Sequence, residues 1–270
     1  MASVGGGAGN HLLKNPTSRS VGRLASAVTR RYTASMDFRS KLIATLKAIR
    51  PVLEEPGVLV VGSEIPNLLE RGLAATMVVS QDIDIGVSVE AHSRVKARLG
   101  EVLDLERSSE EPSVWVPRLP NLVEVNFVGM DPRIHDASET YVLEDAELPL
   151  IVFGTLSFLR PGNPVDVEGL RVPVPRPAGL ILEKLLTDRS GEKGHRDLLV
   201  VLGLLLVAEE SDVAELVAEY RGLSAELRHE VQSNLTILSL LGPTAGMPDP
   251  QPHRGRIARL LTLLDEVGGG

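Results

Sequence analysis

The residues best suited to chemistry are Asp82 and Asp84, in the run Asp82-Ile83-Asp84-Ile85. Acid alternates with isoleucine, the period of a β-strand whose successive side chains point to opposite faces. Burying Ile83 and Ile85 therefore fixes both carboxylates on the other face of a sheet. Two adjacent carboxylates repel each other unless a cation lies between them. Hard oxygen donors suit Mg²⁺, which keeps waters and joins one or two carboxylates to a substrate's phosphates. A surface strand with two solvated acids has the same pattern, and from this motif alone the two readings are evenly matched. Upstream, Gly62-Ser63 follows the apolar run 58–61. Glycine permits close approach, and free backbone N–H groups with a hydroxyl can cradle a phosphate. The plainer reading is a strand–helix turn with Ser63 as N-cap.

Downstream, residues 122–128 read LVEVNFV. Val123, Val125 and Phe127 share one face; Glu124 and Asn126 share the other. A lone buried Glu among aliphatics is costly without a partner. Glu124 suits a third metal ligand or a general base, or simply the outer face of a half-exposed strand. Farther on, Lys184 and Asp188 are spaced i, i+4 on a helical pattern. As a surface ion pair they would contribute little. As functional groups, Lys184 is a cation for a triphosphate, and Asp197 orients it or Arg189. His195 reads as a solvated loop residue, and no HxxxH or HExxH spacing for zinc occurs.

These side chains need elements to hold them. Residues 36–49 place Phe38, Leu42, Ile43, Leu46 and Ile49 on one helical stripe, with Pro51 just beyond. The run 58–61, bounded by Gly57 and Gly62, reads as a buried strand, followed by a helical turn or two at 65–71. Residues 77–80 are β-prone, 82–87 form the acidic strand, and 91–99 a helix. Strands follow at 102–106, 113–117 and 122–128. Residues 131–148 are polar and irregular; 151–158 reads as a strand. The run VDVEGLRVPVP at 165–175 reads as a tight hairpin about Gly169. Beyond Pro177 the pattern turns helical, at 178–187, 196–209, 212–221, 225–241 and 254–267, with 242–252 as a linker. Strands first and helices after predict an α+β core followed by a helical C-terminal domain.

Composition narrows the chemistry. The 270 residues include no Cys, which excludes disulfides, thiolate-ligated zinc, iron–sulfur clusters and thiol catalysis. Aromatics are only 3%, so the core is aliphatic and a base-stacking platform is disfavoured. The formal charge is −8, which argues against a general nucleic-acid coat. That charge is uneven: residues 1–36 carry five cations and no acid, leaving 23 cations against 36 acids on the rest. The leader fits a basic tail better than a transit peptide. The longest apolar-plus-glycine run, 198–208, is too short for a membrane span.

The pieces in this order resemble the DNA polymerase β-like nucleotidyltransferase superfamily. Its motif is a small-residue pair after a strand, then Asp-x-Asp on the next strand, then a third carboxylate on a later strand. Gly62-Ser63, Asp82/Asp84 and Glu124 occupy those places. Within the superfamily the chain looks closest to the AbiEii-type toxin group and its relatives, whose helices carry a Lys-Leu, an Arg and a basic-Asp-Leu pattern. Here these are Lys184-Leu185, Arg189 and Arg196-Asp197-Leu198, and Val123-Glu124-Val125-Asn126 is similar to that group's third-carboxylate strand. Eighteen residues separate Ser63 from Asp82, a spacing that fits an inserted strand at 77–80.

Composition marks off a flexible basic leader (1–36), and the resemblance, which covers about residues 40–210, implies a mixed-sheet catalytic domain (37–175) followed by a helical domain (176–270). It implies a Mg²⁺- or Mn²⁺-dependent enzyme that moves an NMP from an NTP, ATP among them, to a hydroxyl on tRNA, a protein or a small molecule, releasing pyrophosphate. Asp82, Asp84 and Glu124 would be the catalytic and metal-binding acids. Gly62 and Ser63 would contact the β- and γ-phosphates, Lys184 would neutralise them, and Asp197 with Arg189 would position them. The implied setting is cytoplasmic and away from membranes, with NTP, an RNA or protein acceptor and a cognate antitoxin as partners. Three rivals compete: a degenerate nucleotide-binding module, an interaction protein built on the Leu-rich helices, and a glycosyltransferase. The last also uses Asp-x-Asp but needs a larger preceding domain than the 81 residues here.

Overall fold

A seven-stranded mixed sheet carries the Asp82–Asp84 strand near its centre in the computed structural model, which describes residues 38–70, 80, 82–187 and 191–268. The expected leader (1–36), most of the expected strand at 77–80, Asp188 and Arg189 lie outside those residues.

The first helix, α1 (38–48), buries Phe38, Leu42, Ile43 and Leu46, as its stripe predicts. A single turn, α2 (Arg50–Leu53), follows with Pro51 in its first turn, where a missing N–H costs nothing. Then come β1 (Val58–Val60), α3 (Ile65–Leu69), β2 (Asp82–Ser88), α4 (His92–Leu99), β3 (Leu105–Arg107), β4 (Val114–Pro117) and β5 (Glu124–Met130). Strand β2 lies between β1, antiparallel to it, and β5, parallel to it; β4 and β3 continue beyond β5. Strand β7 (Leu150–Phe153) runs parallel to the end of β5, and β6 (Thr140–Leu143) pairs with β7. Strand β6 falls in the stretch the sequence marks as irregular. It is short, lies at a sheet edge and alternates between half-buried and exposed positions, so no apolar run announces it. The expected strand at 151–158 is β7 followed by a 3₁₀ turn from Gly154. A side chain at 154 would meet the carbonyl oxygens of Asp136, Ala137 and Glu139, which wrap the start of that turn.

The hairpin β8 (Val165–Val167) and β9 (Leu170–Val172) turns at Glu168 and Gly169, both with positive φ, as a two-residue turn between twisted strands requires. Five α-helices follow among the described residues: α5 (Pro177–Leu186), α6 (Gly191–Val207), α7 (Glu210–Gly222), α8 (Ala225–Leu240) and α9 (Arg254–Gly268). The fold is α+β, a mixed sheet followed by a helical C-terminal part. Helix α6 begins before the expected residue 196, so His195 is an exposed helical residue and not a loop residue. Gly191 and Gly194 disfavour helix locally, but burial of Leu198 through Leu205 outweighs them. Helix α5 is the hub: every residue from Ala178 to Leu186 is buried, and it packs against α6, α7, α8 and the 3₁₀ turn. One apolar core runs continuously from Phe38 to Leu264. Among the described residues no helix is long and apolar enough to cross a membrane.

Candidate active site

Strand β2 buries Ile83, Ile85 and Val87 completely and leaves Asp82 and Asp84 half-buried on the opposite face. The alternation read in the sequence thus places both acids on one side. The parallel register with β5 sets Asp82 beside Glu124 and Asp84 beside Asn126. Helix α1 fixes where β5 begins. The fully buried Thr45 hydroxyl donates to the Lys41 carbonyl and accepts the Val123 backbone N–H at 2.9 Å.

The two aspartates are not left to repel each other. Asn126 Nδ2 donates to Asp82 Oδ2 at 2.9 Å and to Asp84 Oδ1 at 3.2 Å. The Ser80 hydroxyl donates to Asp82 Oδ1 at 2.6 Å. A single amide donor therefore stands between two carboxylates, where a cation would satisfy the same oxygens. The sequence places Asn126 on this face without giving it a role.

The other side of Asp84 holds a group the sequence did not mark. Glu64 is fully buried, and neither of its carboxyl oxygens has a hydrogen-bond partner. Strand β1 ends with the Val61 N–H donating to the Asp84 carbonyl at 2.9 Å, which brings Gly62 alongside Asp84. A methyl at Gly62 would fall 2.8 Å from Asp84 Oδ2 and against the Glu64 carboxylate. A larger residue at 62 would displace these two carboxylates, which share the space above it. Burial, then the charge of Asp84 and, less, that of Asp82, holds the Glu64 carboxyl well above the usual range, against the pull of its own backbone N–H and, more weakly, of Lys184. Glu64 is also the N-cap of α3, and Ser63, half-exposed, is not. The available signal was an acid placed between a buried strand and Ile65-Pro66, both buried. Glu124 is raised more modestly by burial, Asp82 and Glu111.

A cavity of about 700 Å³ opens between the sheet and the helices, with Asp84 on one wall and Glu183, Lys184 and Lys193 on the other. Lys184 is buried on α5 and forms an ion pair with Glu183 at 3.1 Å, while Glu183 accepts the Thr187 hydroxyl at 2.9 Å. A buried ammonium needs such a partner, since an uncompensated charge there is strongly destabilising. Asp197, also buried, shares a smaller adjoining cavity with Lys184. Lys193, exposed at the start of α6, was not singled out in the sequence. Of the expected set, Asp82 and Glu124 are paired across β2 and β5 and Gly62 lies beside Asp84; Asp84 and Lys184 line one cavity, and Asp197 lines the adjoining one.

The donor set is all oxygen, one amide bridges the aspartate pair, and a buried carboxylate lacks a partner. These residues fit a hard divalent cation. Among the described residues no three acids are gathered around one point. A Mg²⁺ site does not need three, because water and substrate phosphate complete its shell.

No protein-family model matches the chain, and no curated protein matches it. Among solved structures, an antigenic nucleotidyltransferase-like protein from Paracoccidioides brasiliensis is similar at a TM-score of 0.42 and 14% identity, over 85% of this chain and 93% of that one. At that distance the likeness assigns nothing to this chain.

Proposed function

We propose that the chain is a metal-dependent nucleotidyltransferase that moves an NMP from an NTP to an acceptor hydroxyl. What supports the reading is one observation: Asp84, joined to Asp82 through Asn126, lines the same cavity as Lys184 and Lys193. A carboxylate pair opposite two ammonium groups matches a cation-bound polyphosphate. Asp82 and Asp84 would hold Mg²⁺ or Mn²⁺, which when bound neutralises the triphosphate and the charge that develops on it. Lys184 and Lys193 bind the β- and γ-phosphates across the cavity, and Asp197 positions Lys184. Ser63 keeps the phosphate-contacting role the resemblance implies, while Gly62 seats the Asp84 and Glu64 carboxylates. The acceptor oxygen bonds to the α-phosphorus as the bond from that phosphorus to the bridging oxygen breaks, and pyrophosphate leaves. Glu124 takes the acceptor proton; its raised basicity and its place beside Asp82 suit that task. The acceptor hydroxyl belongs to a tRNA, a protein or a small molecule.

A second reading is a nucleotide-binding module without catalysis, favoured by the lack of three gathered acids among the described residues. One experiment separates the two. Purified protein is incubated with each labelled NTP, Mg²⁺ or Mn²⁺, and total RNA or lysate. Label transfer that is lost in the double variant Asp82→Asn/Asp84→Asn supports the enzyme. Transfer that survives in that variant refutes the assigned roles. Calorimetric nucleotide binding without transfer supports the module, and neither transfer nor binding refutes both.

A further inference from the structure

We propose that Glu64 is a cation ligand of this site, forming with Asp84 Oδ2 a second carboxylate pair above Gly62. The inference rests on the proposed cation dependence and adds a ligand to it. Asp84 faces two ways. Its Oδ1 meets the Asn126 amide that it shares with Asp82. Its Oδ2 meets the space above Gly62 that it shares with Glu64. The first pair has a donor between its members. On the second side, Glu64 is fully buried and neither of its oxygens has a hydrogen-bond partner in another residue.

A buried carboxylate without donors is costly. A cation shared with Asp84 would satisfy it, and two oxygen ligands plus water and phosphate make an adequate Mg²⁺ shell. Glycine at 62 agrees with this, because any larger side chain would fill the space between the two carboxylates. Asp84 is then the shared ligand between an Asp82 side and a Glu64 side. Glu124, beside Asp82 at the start of β5, is thereby left to proton transfer.

The test is Mn²⁺ binding by the nucleotide-free full chain at neutral pH, read from the paramagnetic resonance signal of free Mn²⁺. The wild type is expected to bind Mn²⁺. Glu64→Gln is expected to bind more than about tenfold more weakly, since even groups behind a ligand change affinity by that factor. In EDTA its melting temperature should be no lower than that of the wild type. Equal Mn²⁺ affinity in the two proteins would overturn this inference alone and make Glu64 a protonated structural acid. A wild type that binds no Mn²⁺, either alone or with a non-hydrolysable NTP analogue, would overturn the cation dependence as well. Should Glu64→Gln not fold, Glu64→Asp withdraws the carboxylate by one methylene at constant charge. Weaker Mn²⁺ binding by that variant supports the ligand role, and unchanged binding overturns it.

Discussion

Replacing Asn126 by aspartate tests the carboxylate pair directly. The side chain keeps its shape, but the donor serving Asp82 at 2.9 Å and Asp84 at 3.2 Å becomes a third acceptor. A hydrogen bond to a charged group contributes about 1.5–3 kcal/mol, and the longer contact belongs at the low end. Like charges about 4 Å apart repel by about 4 kcal/mol at an effective dielectric of 20. Both acids are half-buried, so solvent screens much of that, and uptake of a proton relieves more. The expected net loss in EDTA is about 2–4 kcal/mol, and for a chain of this size each kcal/mol lowers the melting temperature by about 2–4 °C. Mg²⁺ should recover much of the loss, because a ligand that binds only the native state stabilises it by mass action and the substitution supplies an additional oxygen. The assay is a pair of thermal melts, N126D and wild type, each in EDTA and in excess Mg²⁺. Coincident melts in EDTA, or a Mg²⁺ shift no larger for N126D than for the wild type, would refute the claim that Asn126 does a cation's work.

Two further outcomes follow from the packing. In EDTA, the buried Glu64 carboxyl titrates above its unfolded value. The stability it contributes is present at acid pH and is lost as pH rises through the folded value. Urea midpoints of the wild type should therefore fall, as pH rises above the ordinary carboxylate range, more steeply than those of Glu64→Gln, and parallel profiles would contradict the burial argument. Gly179 on α5 lies against the Phe158 carbonyl, where a methyl would collide. Gly179→Ala should lower the urea midpoint by the equivalent of about 1–3 kcal/mol, although alanine favours a helix by about 1 kcal/mol. An unchanged or higher midpoint would show that the helix can shift to make room.

The acids of β2 could be read from sequence because strand alternation is a local property that burial of Ile83 and Ile85 enforces. The hairpin at Glu168-Gly169 and the stripe of α1 were legible for the same reason. Glu64 was not, because its significance lies in Gly62 bringing it beside Asp84, an approach between residues twenty apart. Lys193 was missed because glycines on either side of it marked a loop, and only the burial of the following leucines draws that stretch into α6. Strand β6 was missed because its partner, β7, supplies the order that its own residues do not display. Lys184 was recognised as a cation, but its partner is the adjacent Glu183, and Asp188 lies outside the described residues.

The burial of α5 on every side bears on how such a site can work at all. A lysine carried on a mobile flap could swing to meet its substrate, but Lys184 is anchored to a helix that the whole apolar core surrounds. In the proposed site Asp84 and Lys184 therefore face each other from packed elements, and a polyphosphate held between them would be selected by length and charge, as by a gauge. A cut after Pro175 would not release a working half. It would strip the sheet of its opposite jaw and expose the helix that both halves were built around.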